Sequence, residues 1–449
     1  MIRPLSIIRH CFDGVIPSGI ATCSEDGVTN VTYLSQVHLV DDTHVGLSYQ
    51  FFNKTKTNIA ENPQACLLQI DPFSGIQYRL YLQYERTESV GPMFEKIRVK
   101  LDAIASMSGM SGVFNLKGVD IYRVTEWECM EESTPAELAD NAESFEDLNN
   151  IASEISACDQ LATLLDTTLL GLDKLGYSNS MVLLQNTDGH SLYTIASHGY
   201  KRHGAGAEVK FGEGIIGIAA DKRKPVTITS MKRADIMADA VRHQAISEHS
   251  ELAFNARIPL PGLSHPSCQM AVPIEARNRL LGVLFLESEK DLSFTHDTER
   301  FVCSVANHLG MAMLLCNDDS SGSTDAEAIA HGHKKTADYG EVVKIRYYLA
   351  DKSVFIDNDY LIKGVAGMIL WRLLQIYQTQ GRAEFTNREL RVDPKLSLPE
   401  VADNLEARLV LLQRRLDDKC PVMKMEKTGR GRFRLLISCR LDMLPVSPA

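Results

Sequence analysis

The amino-acid sequence predicts an α+β protein built from three domains in a row. A chain of 449 residues is too long for a single hydrophobic core. Alternating apolar segments typical of antiparallel strands dominate residues 10–130, whereas strands and helices are mixed in residues 150–317 and 341–449. An acidic stretch at residues 131–149 and a Ser-containing stretch at 318–340 separate these regions, and we interpret both as linkers.

The composition is that of an ordinary globular protein, with 44% hydrophobic and 23% charged residues. No apolar run approaches the roughly 20 residues that a membrane span needs, so we expect no membrane partner. The first ten residues lack the apolar stretch of a secretory signal, and we therefore expect a cytoplasmic protein. The ten cysteines form no CxxC pair, which favours reduced thiols. His265 and Cys268 have no second ligand pair nearby, so we predict no metal site.

Charge is distributed unevenly along the chain, whose net charge is −11. Residues 341–449 contain 19 Lys and Arg against 14 Asp and Glu, a surplus of 5. The other 28 basic and 44 acidic residues lie in the first 340 positions, which therefore carry −16. An acidic body followed by a basic domain predicts a polyanionic partner for the C-terminus.

The N-terminal region predicts short strands joined by tight turns. Three strands are expected at residues 16–23, 28–39 and 45–51, followed by a helix from residue 54 that Asn62-Pro63 ends. Further strands at 65–70 and 77–84, a helix at 93–107 and a closing strand at 118–127 complete the domain. Such a meander is typical of an antiparallel β-barrel.

This order, with the run Phe51-Phe52-Asn53-Lys54-Thr55-Lys56-Thr57-Asn58-Ile59-Ala60-Glu61-Asn62-Pro63, resembles the FMN-binding split β-barrel of the pyridoxamine 5'-phosphate oxidase family. The resemblance implies an FMN cofactor whose phosphate binds at the start of the helix. It implies cofactor-binding roles for Gln36, Tyr49, Gln50, Lys54, Thr55 and Lys56. The family's lysine is displaced here, and glutamine stands at Gln36 where the family has arginine. The alternative is that Lys54 and Lys56 are only solvent-exposed residues at the end of a helix.

The middle region predicts a hairpin around Asn186–Gly189, the run Phe211–Ile228 with glycines at 214 and 217, and a second hairpin at Gln269–Ser288. A long helix at 148–175 precedes these elements, and a helix capped at Thr295 or Asp297 follows. Gly214 and Gly217 lie three residues apart, which lets a short helix approach a neighbouring backbone closely.

Together these elements resemble a GAF domain over residues 150–317. The resemblance implies a small-molecule ligand beneath residues 231–266 and a homodimer formed through the long helix. An empty dimerisation unit is the alternative.

The C-terminal region predicts a strand pair at 342–363, a helix at 365–380, two capping boxes at Thr386 and Ser397, and a helix at Pro399–Asp417. A hairpin around Thr428–Gly431 follows. This order resembles the winged-helix-turn-helix output domain of bacterial response regulators, which implies DNA as partner, with the last helix in the major groove and the hairpin as the wing. The implied DNA-binding residues are Arg408, Arg414, Arg415, Lys427, Arg430 and Arg432. Leu411 departs from the pattern because it lies on the predicted solvent face. A winged helix used only for protein contact is the alternative.

These predictions combine into a ligand- or redox-sensing regulator that acts through DNA. The alternative is an FMN-dependent oxidoreductase regulated by its GAF domain, and a third hypothesis is a flavin-free scaffold. No nucleophile, base and acid occur in a catalytic arrangement, so we predict no catalytic residues.

Overall fold

The computed structural model describes residues 3–14, 16–34, 36–49, 53–107, 116–130, 145–231, 258, 260–319, 342–357, 359–396 and 405–446, with only the backbone at 49, 53 and 317–319. Most of the predicted linker at 318–340, most of the acidic stretch and most of the segment 231–266 lie outside these residues. None of the described helices is long and apolar enough to cross a membrane. The ten cysteines form no disulfide bond.

The N-terminal domain is built on a seven-stranded antiparallel sheet that curls into a half-barrel. The strands are β1 (Ser18–Cys23), β2 (Thr29–Leu34), β3 (Val37–Leu39), β4 (His44–Tyr49), β5 (Gln64–Ile70), β6 (Gln77–Glu88) and β7 (Gly118–Cys129), in the order β2-β1-β5-β6-β7-β4-β3. A 3₁₀ helix (Leu5–Phe12), α1 (Asn53–Glu61) and α2 (Pro92–Met107) accompany the sheet. The strand predicted at 28–39 is two strands, because β2 pairs with β1 whereas β3 pairs with β4.

The middle domain is a six-stranded antiparallel sheet with helices on both faces. Its strands are β8 (Asn179–Gln185), β9 (Ser191–His198), β10 (Glu208–Lys210), β11 (Val226–Ile228), β12 (Cys268–Ala276) and β13 (Arg279–Ser288), in the order β10-β9-β8-β13-β12-β11. One face packs on α3 (Phe145–Ser156), α4 (Leu161–Lys174) and α6 (His296–Asp319), and the other on α5 (Gly214–Lys222). The single helix predicted at 148–175 is therefore two helices, α3 and α4.

The start of α5 shows why glycine is needed there. A Cβ atom at Gly217 would lie 2.2 Å from the carbonyl oxygen of Lys210, so the backbone of this helix touches the preceding strand. The predicted close approach is confirmed at Gly217. Gly214 has a different reason to be glycine: its φ of +59° is unfavourable for other residues, and a Cβ there would meet open space.

The described residues of the C-terminal domain form two small sheets and three helices. A four-stranded sheet joins β14 (Val342–Tyr348), β15 (Ser353–Ile356), β16 (Asp359–Ile362) and β20 (Arg440–Val446), and a three-stranded sheet joins β17 (Glu384–Thr386), β18 (Met423–Gly429) and β19 (Arg432–Ile437). The helices are α7 (Gly364–Gln380), α8 (Asn387–Val392) and α9 (Leu405–Lys419). Thr386 caps α8 by accepting a hydrogen bond from the Glu389 amide, as predicted. The second predicted cap, Ser397, lies outside the described residues.

The domains pack directly on one another. Helix α2 of the N-terminal domain contacts α5 and β11, and α9 of the C-terminal domain contacts α4 and β9. The buried apolar residues of the middle and C-terminal domains form one continuous cluster that runs from Ile151 to Cys439. The C-terminal domain is thus docked on the middle domain rather than tethered to it.

Candidate functional site

The predicted flavin-phosphate residues at the start of α1 do not all line one pocket. Thr55 is buried, and its hydroxyl accepts a hydrogen bond from Asn30 Nδ2 at 3.0 Å. Lys54 and Lys56 are exposed. Thr55 and Lys56 line a cavity of about 10 Å³, which is room for roughly one water molecule.

The wall of this small cavity is unsuited to a phosphate. It includes Asp120, whose pKa is raised by burial and lowered again by its bond from Thr87 and by the charge of Lys56. An ionisable carboxyl at this position repels a dianion, and Lys56 already faces it. The residues described here therefore do not fit FMN.

The other predicted flavin residues lie elsewhere. Gln36 lines a separate cavity between the N-terminal and middle domains. Tyr49 is the last residue of β4, where its backbone pairs with Gly118, and Gln50 lies outside the described residues.

The winged-helix resemblance implies that the arginines of α9 are accessible to DNA, whereas the structure places Arg408 and Arg415 in buried positions. Arg408 is 6% exposed. Its guanidinium stands 4.6 Å from the ring centre of Tyr193, and its Nη2 donates to Asn186 Oδ1 at 3.0 Å. A guanidinium stacked on an aromatic ring and bonded to an amide oxygen is held firmly in a partly desolvated site.

Arg414 reaches the same domain two turns further along the helix. Its Nη1 donates to the carbonyl oxygen of Ile195 at 3.0 Å, and its Nη2 donates to Asp166 Oδ1 at 2.7 Å. Arg408 and Arg414 therefore both bind the middle domain through oxygen acceptors on β9, α4 and the turn between β8 and β9.

Arg415 has a structural role within its own domain. It is 2% exposed, and burial lowers its pKa. Its Nε donates to the carbonyl oxygen of Leu361 at 2.9 Å, and its Nη1 lies 3.4 Å from Asp418 Oδ2. These contacts join α9 to β16, so Arg415 is not a groove-reading residue.

The lysines extend the contact between the two domains. Lys427 on β18 donates to Gln160 Oε1 at 2.9 Å and lies 3.6 Å from Glu406. Lys363, which the sequence did not single out, forms an ion pair with Glu208 at 2.7 Å. Arg430 and Arg432 of the hairpin are exposed.

Leu411 is the sequence signal that indicated this docking. It lies on the predicted solvent face of α9 but is buried, and a methyl group at Gly206 would be 3.7 Å from its Cδ1. An apolar residue in line with arginines on one helix face indicates a covered face rather than a solvated one.

The middle domain contains a buried acid that the sequence analysis missed. Glu287 is 5% exposed and accepts hydrogen bonds from the Leu263 amide at 2.9 Å and from Gln269 Nε2 at 2.7 Å. Burial raises its pKa, and burial and the Glu287 charge raise the pKa of neighbouring Tyr200. The signal was available, because Glu287 lies on the same face of β13 as the buried Val283 and Phe285.

No group of three or more His, Cys, Asp or Glu side chains suited to a metal ion occurs among the described residues. The Cys268 thiol donates to the carbonyl oxygen of Thr229 at 3.0 Å.

Comparison with known proteins agrees with the architecture of the middle domain. The family model described as "GAF domain" matches residues 158–313, and no curated protein matches the chain. The GAF domain of a phosphoenolpyruvate-protein phosphotransferase from Acinetobacter is 19% identical, covers 40% of this chain and 96% of its own, and has a TM-score of 0.30. An FMN-binding protein from Syntrophomonas wolfei is 15% identical, covers 29% of this chain and 93% of its own, and has a TM-score of 0.24. The free methionine-R-sulfoxide reductase of Neisseria meningitidis is 19% identical, covers 39% of this chain and 90% of its own, and has a TM-score of 0.30. Residues 158–313 of the chain are a GAF domain.

Proposed function

We propose that this protein is a regulator in which the GAF domain senses a small molecule and controls access to a DNA-binding C-terminal domain. GAF domains bind small-molecule ligands, which supports the sensing half. The output half is supported by the order of elements in the C-terminal domain: helix α7, strand β17, helices α8 and α9, and a hairpin that carries Arg430 and Arg432. The surplus of basic residues in this region favours a polyanion as its partner.

The observation that carries the proposal is the docking of α9 on the GAF domain. Arg408 and Arg414 bind an amide oxygen, a carbonyl oxygen and a carboxylate there. Phosphate oxygens and guanine edges present the same kind of acceptor to arginine. The GAF domain therefore occupies the side chains that DNA would require, and DNA binding needs release of α9.

Arg408, Arg414, Lys427, Arg430 and Arg432 remain our candidates for DNA contact, and Arg415 is withdrawn. We also infer a homodimer, for which the expected result is the mass of two chains in sedimentation analysis. Flavin-dependent oxidation has less support, because the described residues expected to hold the flavin are dispersed and the small cavity that Thr55 and Lys56 line also contains Asp120.

The proposal is tested by weakening the docked contact without touching the C-terminal domain. The variant Asp166→Lys/Glu208→Lys places lysines opposite Arg414 and Lys363, so like charges replace two ion pairs. Replacing two attractive ion pairs by two repulsive pairs shifts the equilibrium between docked and released α9 by about tenfold. We expect full-length variant protein to bind duplex DNA of random sequence about tenfold more tightly than wild type, in gel retardation at low salt.

A matched control separates undocking from added positive charge. The variant Glu154→Lys/Asp221→Lys changes the net charge equally, but its partners Lys174 and Lys222 lie within the GAF domain. We expect a much smaller increase in DNA affinity for this control. Equal increases in DNA affinity in both variants, or no DNA binding by either at low salt, would contradict the proposal that the C-terminal domain binds DNA when it is released.

A further inference from the structure

A cavity of about 80 Å³ lies at the junction of the N-terminal and GAF domains, and we call it the junction cavity. Its walls come from the N-terminal 3₁₀ helix, residues around β3, and α2 on one side, and from β11 and the start of α6 on the other. The domains are tied together nearby, because Ser106 Oγ donates to the carbonyl oxygen of Gly212 at 2.9 Å and accepts from the Gly214 amide at 2.8 Å. Glu287 and Tyr200 do not line this space.

The N-terminal side of the junction cavity is cationic. Lys96 and Lys100 lie one turn apart on α2, and both line the cavity together with Arg9. Arg9 also pairs with Asp297 at 2.7 Å. Three positive side chains therefore meet in a space that has two acids in its lining.

Both acids are engaged by the protein. Asp13 accepts a hydrogen bond from the His296 amide at 3.2 Å. Glu299 accepts from the Thr227 hydroxyl at 2.7 Å and lies 3.6 Å from Lys96. Part of the negative charge of Asp13 and Glu299 is therefore already balanced by contacts within the protein.

The buried imidazole of His38 adds a donor. His38 is 8% exposed and lines the cavity, and its imidazole forms no hydrogen bond with any described residue. Burial, followed by the charges of Lys100 and Lys96, holds its pKa well below the usual value, so the ring is neutral and keeps one N–H. Burial, followed by the charge of Lys96, also lowers the pKa of His296, and the charges of Glu299 and Asp13 oppose this shift.

We propose that the junction cavity binds a small oxyanion, through the ammonium groups of Lys96 and Lys100 and an imidazole N–H of His38. These groups donate hydrogen bonds to oxygen, and two of them are charged. One water needs about 10–15 Å³ of such space, so the cavity holds on the order of five or six water-sized atoms. Inorganic phosphate or a short carboxylate fits this volume, whereas a flavin does not. The ligand would contact both domains and stiffen their junction.

The test uses the full-length protein and inorganic phosphate, in a phosphate-free buffer at constant ionic strength. Thermal unfolding is followed as phosphate is added, since a ligand that binds only the folded state raises Tm in a saturable manner. We expect the rise in Tm to saturate for wild type and for Lys117→Met, and an affinity for phosphate at least tenfold weaker for Lys100→Met, because a charge-assisted hydrogen bond is lost. Lys117 is a matched control because it is an exposed lysine of the same domain, outside this cavity. Lys96→Met gives a second variant if Lys100→Met does not fold.

Parallel titrations with sulfate, acetate and chloride distinguish the class of ligand. Saturation by phosphate and sulfate alone assigns the site to tetrahedral anions, and saturation by acetate alone assigns it to carboxylates. Identical effects of all salts, chloride included, or equal losses of phosphate affinity in Lys117→Met and Lys100→Met, would overturn the proposal. The result does not depend on whether the C-terminal domain binds DNA.

Discussion

Glu287 shows how a single residue can make the stability of the GAF domain depend on pH. Its carboxyl group is buried and accepts hydrogen bonds from Gln269 and the Leu263 amide. Burial is the largest cause of its raised pKa, and these two donors and the neighbouring Tyr200 side chain oppose that shift. The protonated form is thus favoured in the folded state relative to the unfolded chain.

The consequence for stability has a definite sign. Because the folded pKa lies above the ordinary value of 4.5, the folded protein binds more protons than the unfolded chain between these two values, and stability falls as the pH rises through this window. We expect Glu287→Gln to remove this pH dependence of stability. The measurement is the Tm of wild type and variant at several pH values from 4.5 to 7. A difference in Tm that stays constant over this range would contradict the assignment.

The arginines of α9 show where sequence reasoning at this scale ends. Leu405, Leu412 and Leu416 recur at helical spacing and are buried in the core. This spacing cannot tell whether the opposite face meets water, DNA or another domain, because that depends on residues more than 200 positions away, such as Asn186 and Asp166. Leu411 was the local sign that the face is covered.

At the scale of elements, α6 and β12 are packed with almost no space between their backbones. A Cβ atom at Gly310 would lie 2.6 Å from the carbonyl oxygen of Glu275 and 3.4 Å from Ile274 Cγ2. Substitution of glycine by alanine within a helix is normally stabilising by up to about 1 kcal/mol. Here the contact with β12 reverses that expectation.

We expect Gly310→Ala to lower the free energy of unfolding by about 1–3 kcal/mol, because α6 must move away from the sheet to accommodate the methyl group. Denaturant unfolding of the full-length protein measures this change. Asn307→Ala, on the exposed face of the same helix, is the control and should leave stability unchanged or raise it slightly. Stabilisation by Gly310→Ala would show that α6 is not held against β12 as described.

Local signals predicted some elements better than others. The hairpin turn at Asn186–Gly189 and the Thr386 cap depend on neighbours within a few residues, and both are present. The break between α3 and α4 and the split of 28–39 into β2 and β3 were missed. Partner strands and packing surfaces far away in the sequence fix those boundaries, which local propensity does not encode.

At the scale of the whole molecule, the GAF and C-terminal domains share one apolar cluster as well as a polar contact. The polar contact alone contributes little, since exposed ion pairs such as Asp166–Arg414 are worth at most about 1 kcal/mol each. Docking therefore rests largely on buried apolar surface around Leu411, and the arginines select the orientation. A ligand changes the docked population only by the difference in its affinity for the docked and released states.

Arg414 is central to this account because it is expected to hold the docked state and to contact DNA after release. Its substitution by alanine should therefore act differently in two backgrounds. In Asp166→Lys/Glu208→Lys protein, where docking is already weakened, only the DNA contact is lost. In wild-type protein the loss of docking offsets the loss of that contact.

The most direct measurement is the dissociation constant for duplex DNA, with and without Arg414→Ala, in both backgrounds and at several salt concentrations. We expect Arg414→Ala to weaken binding about tenfold in the released background and to reduce the slope of log affinity against log salt by about 1, with a clearly smaller loss in the wild-type background. The same loss in both backgrounds, or no loss in the released one, would contradict the claim that the GAF domain and DNA compete for this face of α9.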